Sequence, residues 1–519
     1  MQSFLDKHAA KISGVISCFD RMLFRGYLPI MSGYSMAQFL CQHEILYKDL
    51  KSFLLTHAGV LKDHAVEMAR KASRPYEYLA SSGVRKEQRA REMAEADGIE
   101  EGLVCIFAQL EPCKTFSFRY ESGQAFVKPA RRKCLHIYYY FMDRHFGLIH
   151  VMVQTWFPMR MQVFVNGHHW LANKMDAHGI GYTQCDNAFV WIEDVERAQR
   201  FADRLASVDW PCLLNRYARL VNPHMDTLLG PMEYYWVTAQ CEYATDVMFQ
   251  SKAALSELYP RLISHSMQCF GAREVMSFLG KKLVGQFRGE VVSDMTDRGK
   301  QRLPGTRIKH RAKMNWIKMY DKIGSVLRVE TVINEPDAFR VRKRVWREGL
   351  QVTEWVPMRK GVANLFRYRD VSLAANGRYL EALAVVDDPT TAIRQLRTIT
   401  KRKRTRTGQS VRAFNPLSDE DQGLFKAVLS GDNTINGFCN RDVRGFLAGT
   451  SLLRTCGKDS RKRSAKVSRL LRRLHTYGLI AKIPRSRRWR MTNKGWRLLS
   501  ASISLKEGAF PRLYQQAAA

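Results

Sequence analysis

Five residues carry side chains suited to chemistry on a phosphodiester. Tyr320, in the run NWIKMYDK, lies between Lys318 and Lys322. Two such charges favour a phenolate and hold a phosphate nearby, which is what a tyrosine nucleophile for strand nicking requires. Asp20 in VISCFDRMLFRG, Glu242 and Asp246 in CEYATD, and Glu330 in VLRVETVIN offer the alternative, a set of carboxylates around Mg²⁺. The spacing of Glu242 and Asp246 puts both on one face of a helix. Asp20 and Glu330 fall within or at the ends of expected strands, with Arg21 and Arg25 close enough to pair with Asp20 in a purely structural role.

Histidines do not complete a metal set. His168 and His169 are adjacent, His136 and His150 stand alone, and the 11 cysteines show no CxxC or zinc-type spacing. No cofactor is evident beyond the Mg²⁺ that carboxylate chemistry would need, and the identity of any metal stays open. There is no GxxxxGK[ST] run and no Ser/His/Asp or Cys/His signature, so nucleotide-driven work and acyl transfer recede.

The elements that must position these residues belong to a long chain. At 519 residues it holds more than one core, and 45% apolar with 11% aromatic content excludes wholesale disorder. No apolar stretch is long enough to span a bilayer, and the amino terminus has no recognisable targeting signal, so the expected compartment is the cytoplasm. Charge is the informative quantity. The 83 Lys and Arg against 49 Asp and Glu give +34, which calls for a polyanionic partner: nucleic acid, DNA before structured RNA, and not a membrane. The run GTRIKHRAKMNWIK concentrates this charge, with Arg307, Lys309, Arg311, Lys313 and Lys318 and no acid.

The pattern predicts an α+β multidomain chain. Residues 1–195 read as a mixed α/β domain with an aromatic-rich antiparallel meander in CLHIYYYFMD, FGLIHVMVQTWFP and MRMQVFVNG. Its aromatics are read as core. Residues 196–399 read as a basic domain, helical from about Val195 to Gly280 and then a hairpin. Residues 400–416 read as a basic linker, with Lys401, Arg402, Lys403 and Arg404 as a phosphate-contacting arm.

Residues 417–506 carry the clearest module. Ser418 caps a helix that ends at Gly431, a short helix follows in NGFCNRDVRGFLAG, and Val467, Leu470, Leu471 and Leu474 form the stripe of a third. A hairpin with polar tip PRSRR and a last helix, NKGWRLLSASISL, complete the order of a winged helix-turn-helix. Arg461, Lys462, Arg463, Lys466, Arg469, Arg472 and Arg473 on the third helix, and Arg485, Arg487 and Arg488 at the wing, are its expected nucleic-acid contacts.

The stretches SRLLRRLHTYGLIAKI and RWRMTNKGWRLL resemble the winged-helix domains of MarR-like bacterial regulators. Across its length, through HIYYYFMDRHFG, WFPMRMQVFVNGH, DNAFVWI and EYATD, the chain resembles a family of large bacterial proteins with such a carboxy terminus. The run KMYDKIGSVLRVE is similar to a segment of rolling-circle replication initiators, although the paired histidines those enzymes use are missing here. The resulting expectation is a nucleic-acid-binding protein of bacterial or mobile-element origin. The alternatives are a replication- or transposition-type nickase or nuclease, and a transcriptional regulator.

Overall fold

The computed structural model describes residues 1–510 apart from 82, 282–289, 298–305, 387–395, 406–407, 431–436, 455 and 458. The chain divides into two compact units, Met1–Ala384 and Val385–Ala519. It is mixed α/β, built on one large mixed sheet, and among the described residues no helix is long and apolar enough to cross a membrane.

The large unit is organised by eleven strands: β1 (Ile12–Tyr27), β2 (Tyr76–Tyr78), β3 (Gly102–Glu121), β4 (Gln124–Asp143), β5 (Gly147–Gln154), β6 (Met161–Asn166), then, after a separate hairpin of β7 (Tyr182–Cys185) and β8 (Ala188–Ile192), β9 (Tyr235–Phe249), β10 (Val291–Asp297), β11 (Thr306–Ala312), β12 (Asn315–Lys322) and β13 (Val326–Ile333). Their spatial order is β10-β11-β12-β13-β9-β1-β6-β5-β4-β3-β2, antiparallel except where β2 joins β3. The aromatic-rich meander is present as β4 to β6, with β3 before it as a further antiparallel neighbour of β4. Ile137, Tyr139, Tyr140 and Phe141 are buried, as core aromatics should be.

Two expectations fail in this unit. Residue 195 is no boundary, because β1 and β6 from before it and β9 and β13 from after it are hydrogen-bonded neighbours. The supposed helix around CEYATD is β9, so Glu242 and Asp246 share a strand face and not a helix face. Tyr235–Phe249 is covered on both sides from Cys241 onward. A strand buried on both faces loses its period-2 signal, and length alone then mimics a buried helix.

One face of the sheet is covered by α1 (Leu365–Leu383), which packs on β9 and β13. Its Asn376 bonds Thr331 Oγ1 (2.7 Å), the Tyr243 carbonyl (3.1 Å) and Thr245 Oγ1 (3.2 Å), pinning both strands to the helix. On the opposite face a second helix, α2 (Gly167–Asp176), approaches β1 end-on. Asn166 caps it by accepting from the His168 and His169 amides. The approach is so close that a Cβ on Gly167 would lie 2.1 Å from the Phe19 carbonyl oxygen.

The small unit includes helices Asp419–Leu429, Asn440–Phe446, Ser451–Arg454, Ser460–Thr476 and Asn493–Ser504, with strands Ile480–Lys482 and Trp489–Met491 paired between the last two. Ser418 caps the first by accepting from the Asp421 amide (3.2 Å); Gly431, its expected terminus, lies outside the described residues. Val467, Leu471 and Leu474 are buried and Leu470 packs at the margin.

The segment 400–416 is not a free linker. Lys403–Arg404 pair with Ser410–Val411, and Ile399 and Phe414 on either side belong to the small unit's core. Tyr477 Oη donates to the Lys401 carbonyl (2.8 Å). Arg473 is also reassigned: it bonds Asp421 (2.8 Å) and the Ala413 carbonyl (2.6 Å) and stacks on Phe414, so it holds this segment and does not face a partner. Charge clustering made the segment look solvated, whereas two apolar anchors at its ends decide its fate.

Gly167→Ala should destabilise the large unit by about 1–3 kcal/mol, because backbone oxygen cannot yield to the added methyl. Gly59→Ala, where nothing lies within 4 Å of the new Cβ in helix Leu50–Lys71, should be neutral or stabilising. Urea unfolding of the two variants measures the difference.

Candidate metal centre

The site begins with an irregularity in β1. Phe19 pairs with Tyr243 and Met22 with Cys241, so Asp20 and Arg21 together stand opposite Glu242. Such a bulge re-aims side chains. It brings Asp20 in beside Glu242 of β9 and Glu330 of β13, and one carboxylate oxygen from each of the three lies within 4.8 Å of the others. All three are buried.

A fully buried guanidinium underlies this group. Arg328, two residues before Glu330 on β13 and on the same face, donates to Asp246 through Nε and Nη2 (both 2.6 Å) and to Asp20 through Nη1 (3.1 Å). Nη2 also donates to the Asn187 carbonyl (2.6 Å) in the β7–β8 turn. His168, in the first turn of α2, sits between the aspartates, 3.4 Å from each, with its Nε2 3.0 Å from Arg328 Nη2. Asp20 accepts further bonds from Asn187 (2.7 Å) and Asn166 (3.4 Å). Burial alone would raise the aspartates, yet Arg328 and His168 hold both below the usual carboxylate range.

The glutamates are matched differently. Lys318 on β12 reaches Glu330 at 2.6 Å and Glu242 at 3.4 Å, following the direct cross-strand pairing of Lys318 with Glu330. Burial would raise Glu330, but the charge of Lys318 together with hydrogen bonds from Glu242 and Lys318 holds it low. Burial and the charge of Glu330 push Glu242 up to about 8, with Lys318 offsetting only part. Four carboxylates therefore face Arg328 and Lys318, with His168 a further group able to carry positive charge and Lys322, itself paired with Asp186, acting on Asp20 from the margin. At least one negative charge is left for a proton or an external cation to answer.

Oxygen donors at this spacing suit a hard cation such as Mg²⁺ or Mn²⁺, which binds carboxylates together with water and phosphate oxygens. The Glu242–Glu330 pair, which the single charge of Lys318 answers only in part, is the feature of the cluster that such a cation fits. The cluster comes nearest to solvent at the Glu242–Lys318 edge, where the side chains keep 8% and 11% exposure.

Beyond that edge the same sheet face turns basic. Arg307, Lys309 and Arg311 of β11 pair with Tyr320, Lys318 and Trp316 of β12, so all six share the face of the acidic cluster. Lys309 lies 3.7 Å over the Trp316 ring. Lys313, by contrast, occupies the β11–β12 turn at a positive φ of 53°.

The structure brings together Asp20, Glu242, Asp246, Glu330 and Tyr320. It changes the role of the last. Tyr320 Oη donates to Glu330 (2.7 Å), and burial with that neighbouring charge raises its pKa well above the ordinary value, so a phenolate is opposed. The lysines expected to favour a phenolate are engaged elsewhere, Lys318 with the glutamates and Lys322 with Asp186 (2.9 Å). His136 bonds the Cys134 carbonyl on β4 (3.2 Å). Arg328 was the residue missed, its signal a lone cation inside the apolar run VLRVETVI, while His168, set aside as a metal ligand, sits between the two aspartates.

The raised Glu242 value gives a pH test. With a folded value near 8 against the ordinary 4.5, the group contributes stability that is present below about pH 4.5 and lost as pH rises through about 8. In EDTA, Glu242→Gln should remove that dependence and gain on the native protein by about 2–4 kcal/mol between about pH 5 and 8, read from urea midpoints.

Comparison of the chain with protein-family models, with curated proteins and with solved structures finds no match.

Proposed function

We propose that this chain is a nucleic-acid-binding protein whose large unit cleaves phosphodiester bonds with the help of a divalent cation, and whose small unit is a winged helix. The observation that carries the reading is the convergence of Asp20, Glu242 and Glu330 from three strands, beside a strand whose face presents Arg307, Lys309 and Arg311.

Asp20, Glu242 and Glu330 would hold the cation, which when bound supplies charge neutralisation at a scissile phosphate. Arg328 keeps Asp20 ionised and fixed. Lys318 adds a positive charge at the solvent-side edge of the cluster. The cations of β11 lie two residues apart, roughly 6.6 Å, and can follow an extended sugar-phosphate backbone across the face. Trp316 backs Lys309, whose ammonium group lies 3.7 Å over its ring, and so holds that cation on the face. Tyr320, with its hydroxyl committed to Glu330, serves as a positioning residue and not as a nucleophile.

For the small unit, support comes from the order of its elements and from the exposure of Arg461, Lys462, Arg469, Arg472, Arg485, Arg487 and Arg488 along the helix Ser460–Thr476 and the hairpin after it. A transcriptional regulator would need this unit alone and would leave the acidic cluster without a role.

Labelled single- and double-stranded DNA and RNA should be cut in Mg²⁺ or Mn²⁺ and left intact in EDTA. Asp20→Asn and Glu330→Gln should each slow cutting by about a hundredfold or more, while Tyr320→Phe should cut without forming a covalent adduct. Binding without cutting under every metal condition would reduce the reading to a binder, and an adduct lost in Tyr320→Phe would replace it with a nickase.

A further inference from the structure

After β13 the chain leaves the large sheet and forms a two-stranded ribbon of its own, β14 (Arg340–Arg347) and β15 (Leu350–Pro357). Glu348 and Gly349 at its tip have φ of 49° and 79°. Two left-handed residues in a two-residue loop give the tight turn that matches strand twist. The root is firm: Val341 and Met358 are buried, the Met358 amide donates to the Phe339 carbonyl (2.9 Å), and Arg367 donates to the Arg340 carbonyl (2.8 Å). Toward the tip the side chains meet solvent, with Trp346 72% and Leu350 69% exposed.

The register sorts the side chains into two unlike faces. Arg342 pairs with Trp355, Arg344 with Thr353 and Trp346 with Gln351, so one face carries arginines and tryptophans and no acid. The other has Lys343 opposite Glu354 and Val345 opposite Val352, and there Arg347 bonds Glu354 at 2.7 Å. The second face answers part of its own charge through Glu354. Among the described residues neither Arg342 nor Arg344 has an acidic partner, although both are exposed.

Resting on the nucleic-acid reading above, we infer that this ribbon is a second contact surface and that its arginine face enters the major groove of duplex DNA. A two-stranded ribbon, about 5 Å between strands and wider with its side chains, matches the roughly 12 Å major groove of B-form DNA. The major groove of an RNA duplex is too deep and narrow to admit it. Arginines alternating along one strand, unpaired and beside aromatic rings, suit phosphates and guanine edges alike. A protein partner would be met by the aliphatic side of the ribbon, where Val345 faces Val352 and Glu354 answers part of the charge.

The test uses the full chain with Arg342→Ala and Arg344→Ala combined, both exposed and away from the root, and a parallel Trp346→Ala. Binding to a 30-base-pair DNA duplex, to the same sequence as duplex RNA and to a single strand is followed against salt. The double variant should lower the log-log salt slope on duplex DNA by about 1.8, two contacts' worth, and leave duplex RNA unchanged. Unchanged slopes on DNA that the native chain binds would overturn the ribbon assignment while leaving the nucleic-acid reading in place. An equal loss on both duplexes would overturn the groove assignment, and a changed oligomeric state in the variants would make the ribbon a self-association surface. A native chain that binds none of the three probes removes the underlying reading and the ribbon with it.

Discussion

A guanidinium taken wholly out of water must be answered on every side, and Arg328 is answered by four segments far apart in sequence. Asp246 comes from the neighbouring strand, Asp20 from the strand beyond, Asn187 from a hairpin turn and His168 from the first turn of a helix. Replacing such a set by apolar groups is often neutral for stability, whereas deleting one member costs about 3–5 kcal/mol because a buried charge is left alone. The set therefore acts less as glue than as a constraint on which arrangement of strands is allowed. Gly167 is part of the same constraint, since only without a Cβ can the helix carrying His168 come down on β1.

With Asp20 held on that side, the β1 bulge determines what faces Glu242 and Glu330. A regular β1 would alternate past Glu242; the extra residue places Asp20 and Arg21 together opposite it. Three carboxylates are then gathered where the protein supplies one lysine. The outcome is a site poised between two ways of answering excess negative charge, a proton on Glu242 or a cation among the three, and the two compete for the same oxygens. A purely structural core polar network would close this deficit with its own side chains, as Arg328 does for Asp246 a few ångströms away.

The chemistry-bearing residues were legible in the sequence, but their geometry was not. Asp20, Glu242, Asp246, Glu330 and Tyr320 stand out by type, and they do meet. The reason first given for Glu242 and Asp246, a shared helix face, was wrong, since i and i+4 also share a strand face and full burial had erased the alternation. Arg328 was passed over because VLRVETVI reads as a strand whatever its third residue does. A charge inside a run buried on both faces is itself a statement that partners exist, although it cannot say where. The segment 400–416 erred the other way: composition argued for solvent, while Ile399 and Phe414 tied it to a core.

The distribution of charge adds a last step. The chain is strongly positive overall, but the buried cluster of Asp20, Glu242 and Glu330 lies on the same sheet face as Arg307, Lys309 and Arg311. Nearby cations lower the potential holding a divalent ion, so a bare protein should bind that ion weakly. A polyanion laid along β11 cancels those charges and adds phosphate oxygens of its own to the site. On the proposed reading, occupancy by nucleic acid and by the cation are thereby coupled with positive sign, and each raises the affinity for the other by the same factor. Such coupling confines the reactive state to the bound complex, which suits a chain whose positive surface would otherwise hold any nucleic acid it met.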